Sequence, residues 1–492
     1  MSAQKINNAV IIVLNTENYK RFDMIYGGES LLNRTLIALS KSGIENAKII
    51  CNPGKAGLIV KQIAKIRHRI KISWEISEKQ PGEYLSDQIK RVTSAWKDAF
   101  LLLESDTIWH PTAIKQVVPD SEDRSPIIYA HKNVYYKDGK TGFSRDFKEK
   151  YKIQFQNADT CDKIIMKEGT ENISGQGDNL VSITGRSLSG NGLISAGIIV
   201  CHKNHFDSMS SLDSLSDIVD NWIALKILRA GFISEAWWLK ITAGTRPEQI
   251  REFFWRVAFK EISGEFSKLV NSRLSKPMTF LFVKLGFSPN AISILEIILF
   301  LIASLFLFVP DYWGMVVFAL IWQFSAGVLD RCDGEVARLR NYESPAGGRF
   351  DMLIDDLRFA IPLAVLGVVC YLENPVSYLY PMALTAIMLW YIPAALYQQI
   401  FMYRHGYVSI QAMGVDYFKA HEKEIPREGW QHKIRPFLKG DIRTFYVFLL
   451  SFTGYKPAVF WVLFTYELVV GITYYLTVKG MRKVVENQSG KN

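Results

Sequence analysis

From about position 290 onward, apolar runs of roughly membrane-spanning length follow one another, with charge pushed to their ends. That pattern constrains the fold more than any other feature, because each run of this kind calls for a helix that crosses lipid. Six spans are predicted, at about 290–309, 313–331, 347–371, 376–402, 441–453 and 457–478. Loop charge orients them. The segment 331–349 carries Arg331, Arg338, Arg340 and Arg349, and 404–443 is rich in Lys and Arg. By contrast FVPDYW and YLENPVS carry neither, and TGYKP carries one lysine. The basic loops are therefore expected on the cytoplasmic side. Lys479, Arg482 and Lys483 place the C-terminus there too, which requires an even number of spans and makes the short fifth one real.

The N-terminal half reads as soluble. NAVIIVLN, AKIICNP, IKISWEIS and DAFLLLESD have the character of strands, and they alternate with helical stretches such as SLLNRTLIALSKSG and LSDQIKRVTSAWKD. Alternation of that kind predicts a parallel sheet covered by helices on both faces. No cleavable secretory signal is read at the N-terminus, so this half is expected in the cytoplasm. The predicted organisation is an α/β domain at 1–245, a linker with an interfacial helix at 246–287, and an all-α membrane domain of six transmembrane helices at 288–492. In the linker, Lys268, Arg273, Lys276 and Lys284 interleave with apolar residues at helical spacing, as suits a helix lying on the inner leaflet.

The net charge is +10, but Lys and Arg gather near membrane ends rather than in an aromatic-interleaved patch. Anionic headgroups and phosphorylated substrates explain the excess, and nucleic acid is not expected as a partner. Five cysteines, Cys51, Cys161, Cys201, Cys332 and Cys370, are scattered and never form a CxxC pair. Neither a disulfide framework nor a zinc site is expected of them.

The stretch at 330–356 reads DRCDGEVARLRNYESPAGGRFDMLIDD and sits between two apolar runs. Asp330, Asp333, Gly334 and Ala337 share one helical face, and Gly347, Asp351 and Asp355 follow at steps of four on the next helix. Two carboxylates from each helix are thus aimed at a common point, with Asp356 alongside. At an effective dielectric near 20, two carboxylates about 5 Å apart repel by on the order of 3 kcal/mol. No basic residue nearby in the sequence offsets the sum. Hard divalent cations bound through oxygen are the expected answer, Mg²⁺ or Mn²⁺, with two ions sharing the set. Gly334, Ala337 and Gly347 remove side-chain bulk from the acidic faces, leaving room for a ring or a diphosphate against the backbone.

These residues match the signature D-x2-D-G-x2-A-R-x8-G-x3-D-x3-D at every fixed position, and the stretch resembles the CDP-alcohol phosphotransferases. SPNAIS at 288–293 is similar to the Thr-Pro-Asn that opens this family's first membrane helix, with Ser288 in place of threonine. The resemblance covers roughly 262–480 and implies transfer of a phosphoalcohol from a CDP-alcohol to a second alcohol, with release of CMP. Carried onto this sequence, Asp330, Asp333 and Asp351 would ligate metal, and Asp355 would complete the site or deprotonate the acceptor hydroxyl. Asp330, Gly334, Ala337, Arg338 and Gly347 would hold the CDP group. Arg404, Lys439 and Arg443, at predicted cytoplasmic helix ends, are candidates for a phosphate on the acceptor, or else anchors at the membrane surface. Glu296 and Glu467 are intramembrane acids and functional candidates by that fact. The family's dimers raise the expectation of a homodimer.

The N-terminal layout, with GGESLLNRTLIALSKSGI after the first strand and FLLLESDTIWHP after a later one, resembles the Rossmann-like nucleotidyltransferases. The fusion looks like the archaeal enzymes that pair inositol-1-phosphate cytidylyltransferase with di-inositol-phosphate phosphate synthase, which favours an inositol phosphate as acceptor. The phosphate-binding glycines are replaced by Asn15, Thr16, Glu17 and Asn18, however. Asp106 remains as one metal ligand, while Ala243 and Gly244 stand near where a second aspartate belongs. The domain is therefore expected to be inactive, the alternative being that it makes the CDP-alcohol from CTP. Asp217 and Asp220 are read as capping and solvated residues, and SGQGDN as a turn. A UbiA-type prenyltransferase would need a second acidic motif. A transporter with an intramembrane acidic site is the competing reading from another class.

Overall fold

The computed structural model describes residues 5–14, 25–117, 125–137, 140–143, 163–166, 181–184, 192–207, 209, 211–225, 227–233, 238–241, 246–258, 271–407, 413 and 440–489. The chain divides into two compact units, 1–256 and 257–492.

The first unit is built on strands β1 (Asn8–Val13), β2 (Asn46–Cys51), β3 (Ser73–Glu78) and β4 (Phe100–Glu104), which pair in parallel in the order β3-β2-β1-β4. Helices α1 (Leu31–Ser42), α2 (Ala56–Ala64) and α3 (Leu85–Thr93) make the crossovers. Alternation along β1 explains the layers: Ala9, Ile11 and Val13 join one hydrophobic core, whereas Val10 and Ile12 join a second core on the opposite face. Beyond β4 the sheet turns antiparallel, through β5 (Ile127–Lys137) and β6 (Gly192–Cys201). The α/β architecture expected from the alternation is present, and its strands lie where the sequence placed them.

Local chemistry sets the helix ends. The Ser30 hydroxyl accepts from Asn33 N and opens α1, and Gly43 closes it with φ of 89°. For α2 the Lys55 cap makes no side-chain bond, and Glu78 from β3 accepts from Ala56 N at 3.0 Å instead. Helix α4 (Leu215–Ala224) begins with a reciprocal Ser214–Asp217 capping box, so Asp217 is the capping residue expected of it. SGQGDN lies outside the described residues.

The second unit is helical. Helix α5 (Ser272–Leu285) precedes α6 (Pro289–Leu305), α7 (Tyr312–Gln323), α8 (Asp330–Leu339), α9 (Pro345–Glu373), α10 (Leu379–His405), α11 (Gly440–Ser451) and α12 (Lys456–Ser489). Residues Phe324–Leu329 form a π-helical turn that joins α7 to α8 into one continuous rod. All six predicted spans are helical. Among the described residues, four stretches are long and apolar enough to cross a membrane: Pro289–Phe308, Tyr312–Leu339, Leu379–His405 and Lys456–Arg482. Helix α9 has the length but carries the acidic motif, and α11 has only 12 residues. Large apolar side chains such as Trp313, Leu389 and Leu476 stand exposed on these helices, as a lipid-facing surface requires.

Two features position the acidic helices. Helix α5 docks on α8 through Ser275 and Thr279, whose hydroxyls donate to Glu335 at 3.0 and 2.6 Å. Its C-terminal carbonyls, at Val283 and beyond the last turn at Phe287, accept from Arg340 at 2.9 and 3.0 Å. The lone lysine of the TGYKP loop, Lys456, is buried and 2.6 Å from Glu373, so its charge is spent on pinning the start of α12 to the end of α9.

Candidate active site

Two serines followed by proline start the helices that frame the site. Ser288 Oγ accepts from Ala291 N at the head of α6, and Ser344 Oγ accepts from Gly347 N at the head of α9. Proline at the next position fixes φ where no N–H is needed. A cavity of about 530 Å³ lies between α6, α8 and α9. Asp333, Asp351 and Asp355 line it, together with Gly334, Ala337, Arg338 and Gly347. The spacing argument thus holds in three dimensions for seven of the eight signature positions. The eighth, Asp330, is not among the lining residues and is held behind them.

What holds Asp330 was not expected. Arg358, on α9 and 3% exposed, places Nη2 2.6 Å from Asp330 Oδ1, 2.6 Å from Glu296 Oε1 and 2.9 Å from Asp355 Oδ1. Its Nη1 donates to the carbonyl of Ala326 in the π turn at 3.4 Å. Arg358 therefore offsets part of the carboxylate charge, a contribution that the sequence reading left uncounted. Arg358 comes one turn after Asp355 on the same face, and that i,i+3 spacing was the available signal. One guanidinium does not balance the set, since it faces Glu296, Asp330 and Asp355 while Asp333 and Asp351 add two further carboxylates.

Helix α6 supplies a polar stripe at Asn290, Ser293 and Glu296, each three residues after the last; Glu296 was a candidate from the sequence, and Asn290 and Ser293 were not. Asn290 and Ser293 line the cavity. Ser293 Oγ donates to Asp333 Oδ2 at 2.6 Å, and Gly334 N donates to the other Asp333 oxygen at 2.5 Å. Asp356 points the other way, accepting from Tyr391 and Tyr474 hydroxyls at 2.7 and 3.2 Å. Tyr474 also reaches the cavity wall, and it is the one lining residue from α12.

The small residues line the cavity, and two of them also leave room for neighbouring side chains. A methyl group on Gly334 would sit 3.2 Å from Arg338 Nη1, so the space is needed by the arginine's own guanidinium. On Gly347 it would sit 3.2 Å from the capping Ser344 Oγ. Arg338 Nε donates to Ala258 O at 2.5 Å, which fixes the fork over Gly334 and toward the cavity.

Of the acceptor-phosphate candidates, Arg443 is paired with Glu467 at 2.9 Å and lies 3.3 Å over the Phe359 ring. Arg404 ends α10 in an exposed position, and neither residue lines the cavity. Lys439 lies outside the described residues. The two intramembrane acids, Glu296 and Glu467, are thus each partnered by an arginine, the buried Arg358 and the half-buried Arg443. In the first unit, Asp106 Oδ1 accepts from the Thr107 hydroxyl at 3.0 Å, and its carbonyl accepts from Ile241 N. The positions that bear on nucleotide binding there, Asn15 to Asn18 and Ala243 to Gly244, lie outside the described residues.

Among the described residues, no three acidic, histidine or cysteine side chains converge on a single ion as placed, and Asp330 and Asp355 both face Arg358. The donor set nevertheless fits a hard cation: all oxygen, in excess of the local positive charge, and open to a cavity.

Comparison with known proteins supplies the family. No curated protein matches the chain. Solved structures similar to its N-terminal half include the inositol-1-phosphate CTP transferase from T. maritima, at 14% identity, 51% of this chain, 97% of that one and a TM-score of 0.37. HddC from Yersinia pseudotuberculosis matches at 13%, 50%, 97% and 0.37. A putative glucose-1-phosphate thymidylyltransferase from Bacillus anthracis matches at 11%, 50%, 94% and 0.36. The CDP-alcohol phosphatidyltransferase family profile matches residues 287–473, a span containing the complete signature and the cavity-lining residues apart from Tyr474. Residues 287–473 belong to the CDP-alcohol phosphatidyltransferase family, transferases of substituted phosphate groups.

Proposed function

We propose that this protein is a six-span membrane enzyme that moves a phosphoalcohol from a CDP-alcohol to an inositol phosphate, releasing CMP at the cytoplasmic face, with Mg²⁺ or Mn²⁺ bound. The observation that carries this reading is the single cavity that brings Asp333, Asp351 and Asp355 together with Gly334, Ala337, Arg338 and Gly347.

The roles follow from position. Asp330, Asp333, Asp351 and Asp355 would hold the divalent ions, which when bound neutralise the diphosphate and the charge that develops on it. The Arg338 fork, fixed by Ala258 and given room by Gly334, donates to a phosphate oxygen of the donor. Asn290 and Ser293 close the cavity from α6. Asp355 is the base: its side chain is 47% exposed, it lines the cavity, and its second oxygen takes the proton of the acceptor hydroxyl. The alkoxide oxygen then bonds to the phosphorus next to the donor alcohol. The bond from that phosphorus to the bridging oxygen breaks, and its electron pair leaves with CMP. The N-terminal domain is read as inactive, because the loop after its first strand lacks the glycines that let backbone N–H groups approach a triphosphate.

The test is CMP release by the purified full-length protein in detergent, across a panel of CDP-alcohols and acceptors that includes inositol phosphates, with and without EDTA. Metal-dependent CMP release that requires both substrates is expected. Release undiminished by EDTA, or none with any donor, would defeat the reading.

A further inference from the structure

Arg358 is a buried cation amid groups that are themselves assigned to a divalent ion. Its Nη2 is shared by Glu296, Asp330 and Asp355, whereas the cavity-lining Asp333 and Asp351 have no contact with it. Glu296 is fully buried, does not line the cavity, and has Arg358 as its ion-pair partner. The three carboxylates therefore fall into two kinds. Asp355 lines the cavity and Asp330 belongs with it to the acidic signature, whereas Glu296 does neither and faces Arg358.

We infer that Arg358 is a resident counter-ion and positioning residue. It holds Asp330 and Asp355 while no divalent ion is bound and yields their oxygens when one arrives, remaining in place because Glu296 retains it. The inference rests on the metal-dependent reading above. Its physical content is a competition. An oxygen accepting from Nη2 must turn from, or be shared with, the guanidinium to coordinate an ion, and a unit positive charge a few ångströms away opposes a doubly charged one. Arg358 thus keeps five crowded acids tolerable in the absence of metal and weakens the metal site in the same measure. Glu296 works in the opposite direction, because without it Arg358 would rest its full charge on the two catalytic-side aspartates.

The experiment uses the intact protein in detergent, stripped with EDTA and titrated with Mn²⁺. Bound ion is read by electron paramagnetic resonance and Tm is followed in parallel, so that the readout does not depend on turnover. In Arg358→Met the half-saturating Mn²⁺ concentration is expected to fall about tenfold, the size of a unit charge acting on a divalent ion at close range in a high dielectric. Its Tm is lowered without metal and restored by saturating Mn²⁺. Arg358→Lys keeps the charge on one compact ammonium that cannot fork across three acids, so a smaller fall of about threefold is expected. Glu296→Gln should shift half-saturation upward. The opposite signs of the Lys and Gln variants decide the matter even if the Met variant does not fold. Should the wild type bind Mn²⁺ and the arginine variants bind it equally or more weakly, the inference is overturned while the metal reading stands. A Tm loss in those variants that saturating metal leaves undiminished would likewise reduce Arg358 to a packing residue. If the wild type binds no Mn²⁺, the metal-dependent reading fails and the inference with it.

Discussion

Asp355 answers to two neighbours at once, a guanidinium behind it and a cavity in front. An amide there keeps the shape and one acceptor for Arg358 but cannot take a proton. Asp355→Asn is therefore expected to lower the rate of CMP release about 10²- to 10⁴-fold with the protein still folded, and a loss under about tenfold would remove Asp355 from the role of base. Gly334 makes a different demand. Its added methyl would meet Arg338 at 3.2 Å, so Gly334→Ala should displace the fork and raise KM for the CDP-alcohol more than for the acceptor, as steady-state kinetics would show. Four of the five cysteines lie among the described residues. Cys51, Cys201, Cys332 and Cys370 are all buried and free. In the soluble unit, burial pushes the Cys51 thiol up to about 11 and raises that of Cys201. Cys51 and Cys201 should resist iodoacetamide at pH 8 until the protein is unfolded, which peptide mass spectrometry reads directly. At this scale the acids were legible because a helical face is a matter of spacing. Arg358 was not, because its value depends on Glu296 and Asp330, which reach it from other helices.

Among the elements, helix starts were written locally where the cap lies next in sequence. Ser288-Pro289 and Ser344-Pro345 each combine a hydroxyl acceptor with a residue that needs no N–H. Ser344→Ala removes the α9 cap and should cost about 1 kcal/mol, seen as a lowered Tm. The α2 cap comes instead from β3, through Glu78 accepting from Ala56 N. That bond holds the Glu78 carboxyl below its usual range. Because its folded value lies below its unfolded value, its contribution is present above the ordinary carboxylate pKa and is lost as pH falls through the lowered one. Glu78→Gln should therefore flatten the acid limb of Tm against pH, and an unchanged slope would deny Glu78 this capping role. The π turn at Phe324–Leu329 was invisible to apolar counting. A π turn has the same composition as an α turn and differs in which carbonyls are left over. Here one of them, Ala326, receives Arg358.

For the whole molecule, two units in one chain raise the question of whether both turn over substrate. If the N-terminal domain is inactive, as proposed, intact protein given CTP and inositol phosphate should release no pyrophosphate, while CMP appears once a CDP-alcohol is supplied. Sustained pyrophosphate release would show the domain to be a working cytidylyltransferase. The six-helix count came from loop charge and not from hydropathy alone. Length and apolarity single out four stretches, because α9 carries its charges inside the segment and α11 is short.

The sequence by itself determined everything that depends on periodicity or spacing: the strand and helix alternation of the first half, the helices of the second, and the shared face of Asp330, Asp333, Gly334 and Ala337. These follow from neighbours along one chain segment, where geometry is fixed by 3.6 residues per turn or two per strand. Tertiary structure decided how charge is balanced. It set Arg358 among acids from three helices, gave Arg443 to Glu467 rather than to the cavity, and filled the space over Gly334 with Arg338. Coulomb energy depends on distance through space, and no local pattern reports which distant segments a long basic side chain will reach.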